Sequence, residues 1–191
     1  MQKLILTTAL IALPLVAQGA TYEIDPPHAN VRFYIDHFGT STNAGGFYNL
    51  TGTVDYDRSA KKGAVDITIP MDNLNTGITH FDESLKSKDF FNIETYPTAR
   101  FVSTDWQFRQ TGDKKDVAQV TGNLTLNGQT HPVTLTATKF NCYQSPMHKA
   151  QVCGGDFLTT IYRTNWGIDK YVAMGVSKLV TLNIQIEAIK K

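Results

Sequence analysis

Val180-Thr181-Leu182-Asn183-Ile184-Gln185-Ile186-Glu187 alternates strictly between aliphatic and polar side chains. Successive side chains of a β-strand point to opposite faces, so this octet offers Val180, Leu182, Ile184 and Ile186 to one side and polar groups to the other. The octet sits within a longer run over 178–189, and the pattern recurs along the chain. Val31, Phe33, Ile35 and His37 alternate with Arg32, Tyr34 and Asp36. Tyr48, Leu50, Gly52, Val54 and Tyr56 form a second face, and Val65, Ile67 and Ile69 a third. Further runs cover 101–108, 117–126, 131–140 and 157–163.

Turn chemistry divides these eight runs. Asn127-Gly128 between two alternating stretches is a strong signal for a type I′ hairpin. Lys61-Lys62-Gly63 and Gly112-Asp113-Lys114-Lys115 read as polar loops joining antiparallel neighbours. Pro70 and Pro132 fall near expected strand ends, where a missing N–H does least harm. Many strands, each with one apolar face, suit a sandwich or a closed barrel, and closure removes exposed strand edges.

One segment breaks the alternation. Residues 79–91 read as helical: Thr79 can cap, Asp82 and Glu83 fall in the first turn, and Lys86 and Lys88 lie late. Phe81 and Leu85 are four apart and share a face. A short helix at this point in the chain is placed to lid one end of a barrel.

The N-terminus reads as a secretory signal peptide. Lys3 gives a positive start, residues 4–16 are almost wholly apolar, and Ala17-Gln18-Gly19-Ala20 supplies small residues for cleavage after Gly19. Thirteen residues fall well short of the ~20 that span a bilayer, so a permanent membrane anchor is not expected. The expected mature domain is 20–191. Without Lys3 the 18 basic residues become 17 against 17 acidic ones, and no basic surplus points to nucleic acid. Export places the chain in the periplasm, with secretion or surface exposure as further destinations. There an even pair of cysteines, Cys142 and Cys153, reads as a local disulfide rather than a redox or metal site.

Signals for catalysis are weak. His28, His37, His80, His131 and His148 make no metal-spaced pair, and no nucleophile elbow occurs. His28 and His131, near prolines at strand starts, read as structural. His37 continues an apolar face, either as a satisfied core histidine or as a polar contact for a ligand head group. Gly52, Ser103, Gly122 and Ala137 interrupt the apolar faces and leave room inside. A filled core and a ligand cavity both remain open on spacing alone.

Four ordered blocks resemble the YceI-like family of periplasmic proteins. They are His28-x-x-Val31-x-Phe33-x-Ile35-x-His37-x-Gly39; Gly46-Phe47 with Gly52-x-Val54-x-Tyr56-Asp57; Leu85-Lys86-Ser87-Lys88-Asp89-Phe90-Phe91-Asn92 with Tyr96-Pro97-x-Ala99-x-Phe101; and Val120-x-Gly122-x-Leu124-Thr125-Leu126-Asn127-Gly128-x-Thr130-x-Pro132-Val133-x-Leu135. The resemblance implies an all-β fold: a single eight-stranded antiparallel lipocalin-like barrel with a short helical insertion near 79–91. It also implies a bound polyisoprenoid or ubiquinone-like lipid, with no further cofactor required. The implied ligand-binding residues are Val31, Phe33, Ile35, Val54, Phe81, Leu85, Phe90, Phe91, Phe101, Leu124 and Leu135. His37 and Trp166 join them, Trp166 standing where a Phe is expected before Gly167, placed to narrow the cavity or stack on a quinone ring. The stretch 141–155 departs from the simplest family pattern.

The expected function is binding, storage or transport of an isoprenoid lipid, not catalysis, with no metal site. A transient membrane contact and a dimer are compatible with it. Two alternatives stand beside it: an enzyme acting on such a lipid through His37 or His80, and a surface-interaction protein with a filled barrel.

Overall fold

The computed structural model describes residues 19–111 and 114–191, so the expected leader, Gly19 apart, lies outside the described residues. Among these residues ten strands form one antiparallel sheet. They are β1 (Ala20–Ile24), β2 (Asn30–His37), β3 (Ser41–Tyr48), β4 (Thr51–Asp57), β5 (Lys62–Pro70), β6 (Thr98–Thr111), β7 (Lys114–Leu126), β8 (Gln129–Gln144), β9 (Gln151–Tyr162) and β10 (Val176–Lys190). Among the described residues one α-helix, α1 (Thr79–Lys86), lies in the excursion between β5 and β6.

Eight strands close the barrel, in the order β1, β4, β5, β6, β7, β8, β9 and β10, with β10 returning to β1. The expected number is therefore that of the ring, but its membership differs in two places. The five residues of β1 read too briefly to stand out beside the leader, yet Tyr22 and Ile24 are buried and pair with Lys190 and Ala188 of β10. The run expected at 31–37 is β2, which lies outside this ring. The run expected over 48–56 is β4 from Thr51 onward, with Tyr48 ending β3, a strand the alternation does not reveal. Asn49 takes φ 56°, a left-handed conformation that asparagine tolerates, and Leu50 turns fully inward at the corner between β3 and β4.

The remaining strands form a hairpin on the ring. β2 pairs with the N-terminal half of β10, from Val176↔His37 to Gln185↔Asn30, and β3 pairs with β2. Gly46 and Asn75 exchange two 2.9 Å backbone hydrogen bonds, tying β3 to the chain beyond β5. One end of the seam is thus closed by β1 and the other by the β2–β3 hairpin. We call these the lower and upper ends.

Several local expectations hold. Asn127 and Gly128 both have positive φ, 49° and 72°, between paired Leu126 and Gln129, as a type I′ turn requires. Cys142 and Cys153 are directly opposed on β8 and β9 and form the disulfide. The stretch 141–155 therefore extends an ordinary hairpin downward. His28 is held at the lower end by Asp25, 2.6 Å from Nδ1, a hydrogen bond that raises the histidine's pKa above its ordinary value.

Two do not. Thr79 is not the helix cap: Ile78 occupies that position without a side-chain bond, and Asp82 instead accepts hydrogen bonds from the amide and hydroxyl of Thr76. Pro132 lies three residues inside β8 rather than at its start, opposite Asn123.

Opening the disulfide loop, whose ends are 11 residues apart, gives the reduced chain more freedom when unfolded. The double variant Cys142→Ala/Cys153→Ala should unfold in urea with about 2–3 kcal/mol less stability than the parent. Equal stability would show that β8–β9 pairing alone holds this hairpin.

Candidate functional site

The upper half of the barrel is hollow. Its cavity measures about 270 Å³, close to the lower end of the roughly 300–1,000 Å³ common for ligand pockets. β2 and β10, adjacent in the sheet, give one wall: Val31, Phe33, Ile35 and His37 stand beside Ile184, Leu182, Val180 and Val176. This is the period-two face read from the sequence. Ile67, Phe101, Leu124, Val133 and Ile161 carry the lining round the ring, and Phe81 and Leu85 of α1 lid it. Phe91, from the turns after the helix, meets Phe47 edge-on at 5.2 Å.

Of the thirteen expected site residues, the structure gathers eleven on this cavity: Val31, Phe33, Ile35, His37, Phe81, Leu85, Phe90, Phe91, Phe101, Leu124 and Leu135. Val54 lies lower, on a separate cavity of about 50 Å³ with Trp106, Phe140 and Cys153. Trp166 lines neither. Its indole N–H donates to the Leu124 carbonyl at 3.1 Å, its carbonyl accepts from Asn127 Nδ2, and its ring packs edge-on against His131 at 5.2 Å. Buried beside the β7–β8 turn, it holds that turn in place and is set apart from both cavities. His80 is exposed and lines neither cavity.

The small residues serve a different purpose from the one expected. A side chain at Gly122 would meet the Phe101 ring at 2.5 Å, and one at Gly52 would strike the Asp66 carbonyl oxygen at 2.1 Å. Ser103 accepts hydrogen bonds from the Trp106 indole and the Val65 amide. They admit neighbouring rings and strands, while the hollow arises among large aliphatic and aromatic residues.

Polar groups collect at the upper rim. Asn43, Ser84, Arg163, Lys170 and Tyr171 line the cavity there together with His37, and only His37 was anticipated. The Lys170 ammonium pairs with Asp89 at 2.9 Å and lies 5.5 Å from the centre of the Tyr171 ring, which in turn meets Phe90 at 6.1 Å. That hydrogen bond lowers the Asp89 pKa and raises that of Lys170, so the pair stays charged across the neutral range. The clasp joins the segment after α1 to the 163–176 loop across one side of the mouth. Tyr171 holds φ 64°, unfavourable for an aromatic residue, and its carbonyl accepts from the amides of Met174 and Val176.

Arg163 organises this loop. It is buried at the upper end of β9, where its guanidinium donates to the carbonyls of Ser177, Ile168 and Lys170 at 2.7–2.9 Å. Burial lowers its pKa from the ordinary value, with Asp169 opposing that shift. A signal for it was present: Phe157, Ile161 and Arg163 share one strand face, placing a cation at an inward position. Among the described residues no group of three or more His, Cys, Asp or Glu side chains could hold a metal ion.

An eight-stranded barrel with an apolar hollow open at a polar rim defines the lipocalin-like class of folds. The chain belongs to the YceI-like domain family, which matches residues 22–188. A UPF0312 protein of Pseudomonas putida is 35% identical over 192 residues, covering 98% of this chain and 95% of that one. Among solved structures, Burkholderia cenocepacia BcnA superposes with a TM-score of 0.69 at 22% identity, over 86% of this chain and 99% of that one. A polyisoprenoid binding domain from Saccharophagus degradans, implicated in plant cell wall breakdown, superposes with a TM-score of 0.62 at 12% identity, over 91% and 100%.

Replacing Arg163 by Met keeps the aliphatic stem but removes the donors to three carbonyls, one of them buried. Arg163→Met should cost at least about 2 kcal/mol in urea unfolding and speed amide exchange in the 167–176 loop. A change within about 0.5 kcal/mol would show that the loop holds itself.

Proposed function

We propose that this protein binds an isoprenoid lipid, with the prenyl tail in the upper cavity and the head group at the rim, and stores or carries it in the periplasm. The observation that carries this reading is the segregation within one cavity: an apolar interior with its polar side chains confined to the mouth. A long hydrocarbon gains ~0.8 kcal/mol for each buried CH₂, so tight binding needs no metal and no covalent step. The shared fold with a domain described as polyisoprenoid binding favours prenyl chains over other hydrocarbons. His37, Asn43 and the Lys170–Asp89 pair offer both donors and acceptors, which suits a phenol or a ubiquinone-like ring.

Export by the leader at 1–19 completes the reading. β1 begins at Ala20, immediately after the expected cleavage point, and the Cys142–Cys153 disulfide suits an oxidising compartment. Lipid enters and leaves at the mouth through transient contact with a membrane. Phe38 supports this: it occupies the β2–β3 turn with φ 59°, where a small polar residue is usual, and is half exposed. Tyr171 and Met174 are exposed on the neighbouring loop, and Phe38 lies against Gly175.

The test is chemical. Protein purified from the periplasm of a quinone-producing bacterium is extracted with organic solvent, and the extract is analysed by mass spectrometry. A prenyl lipid in near-stoichiometric amount is expected, chemically intact, together with a parallel loss in Leu182→Asp, which sets a charge in the apolar wall. An extract free of prenyl lipid, or the same lipid recovered from both proteins, would overturn the reading.

A further inference from the structure

The upper cavity and a smaller hollow beneath it share two wall residues, Leu135 of β8 and Ile184 of β10. Register places both at mid-height: Leu135 pairs with Val120, and Ile184 with Phe157 on one side and Val31 on the other. The two hollows are therefore stacked, with two aliphatic side chains between them.

The lower chamber suits hydrocarbon. Its walls include Val54, Val65, Phe140 and Ile186, and the polar tips that approach it are satisfied elsewhere. Tyr22 donates to Gln151 at 2.7 Å, and the Trp106 indole donates to Ser103 at 3.1 Å. A trapped water needs roughly two to four polar partners, and this lining does not provide them. Below it the barrel is plugged by rings, with Tyr56 packed against Trp106, Phe108 and Phe140.

Size makes the lower chamber relevant. A cavity of about 150 Å³ takes one benzene molecule, so about 270 Å³ accommodates only a few isoprene units. A longer tail must either project from the mouth or pass Leu135 and Ile184. We infer that these two residues form a yielding partition, and that the chamber beneath them, about 50 Å³, receives the terminal carbons of a prenyl tail long enough to reach it, so that the partition sets the tail length the barrel prefers. This rests on the reading of the upper cavity as a prenyl-tail site.

The experiment compares affinities of the delipidated protein for farnesol, geranylgeraniol and a longer all-trans prenol. The ratio of long-tail to farnesol affinity is measured in the parent, in Val54→Phe, which fills the lower chamber, and in Leu135→Ala, which removes half of the partition. The ratio should fall at least about fourfold in Val54→Phe and rise by a similar factor in Leu135→Ala, the effect of one buried CH₂. Val54→Leu serves in place of Val54→Phe if that chain fails to fold. A ratio equal to the parent's in either folded variant overturns the partition while leaving the upper site intact. Failure of every prenol to bind the parent overturns the upper site and the partition with it.

Discussion

Everything in this barrel depends on how one edge of β10 is satisfied. The strand has fifteen residues, and its edge opposite β9 must find partners along its length. β1 has five residues and covers only the lower end. The β2–β3 hairpin covers the rest, and unpaired amides and carbonyls along a β edge are both costly and prone to aggregation. Dividing the seam this way closes the barrel tightly below, where β1 bridges β10 and β4. Above, it leaves a broader wall that is tied to the chain beyond β5 by the Gly46–Asn75 bridge and by Asn73, which donates to the Tyr48 carbonyl.

The divided seam gives the interior its shape. Below mid-height the ring is tighter, and aromatic side chains fill it beneath a small chamber of about 50 Å³. Above, β2 and β3 add circumference around the larger cavity. A hollow of this kind forfeits dispersion contacts for its lining. It persists because the rim is braced. Arg163 donates to the Ile168 and Lys170 carbonyls of its own loop and to that of Ser177 at the start of β10. The Lys170–Asp89 clasp joins that loop to the segment after α1. Charge at the rim and hydrocarbon below sort an amphipathic ligand by end, which is the basis for reading the site as a lipid site.

Much of this was legible from local pattern. Strand periodicity exposes itself in residues such as Val31, Phe33 and Ile35, because one face of a barrel strand must be apolar wherever it looks inward. The turn at Asn127-Gly128 and the pairing of Cys142 with Cys153 were equally readable, since each depends on neighbours close in sequence. What escaped depends on distant partners. β1 is too short to declare itself before β10 and β4 are placed beside it. Trp166 stands where a Phe is expected, and its indole N–H requires a carbonyl, which Leu124 supplies away from the cavity. Gly122 and Gly52 suggested empty space, but only the folded chain shows the Phe101 ring and the Asp66 carbonyl that occupy it. The rim residues Asn43, Ser84, Lys170 and Tyr171 come from an edge strand, the helix and a loop far apart in sequence, so nothing in their spacing assigned them to one site.

The central claim is that the upper barrel is held open for a hydrocarbon tail rather than awaiting collapse. The most direct measurement is a crystal structure of the protein purified with its native lipid and never exposed to detergent. Continuous tubular density should run from the rim between His37 and Lys170, past Phe33 and Phe101, to Leu135 and Ile184. An interior filled by inward-turned side chains, with no such density, would contradict the account.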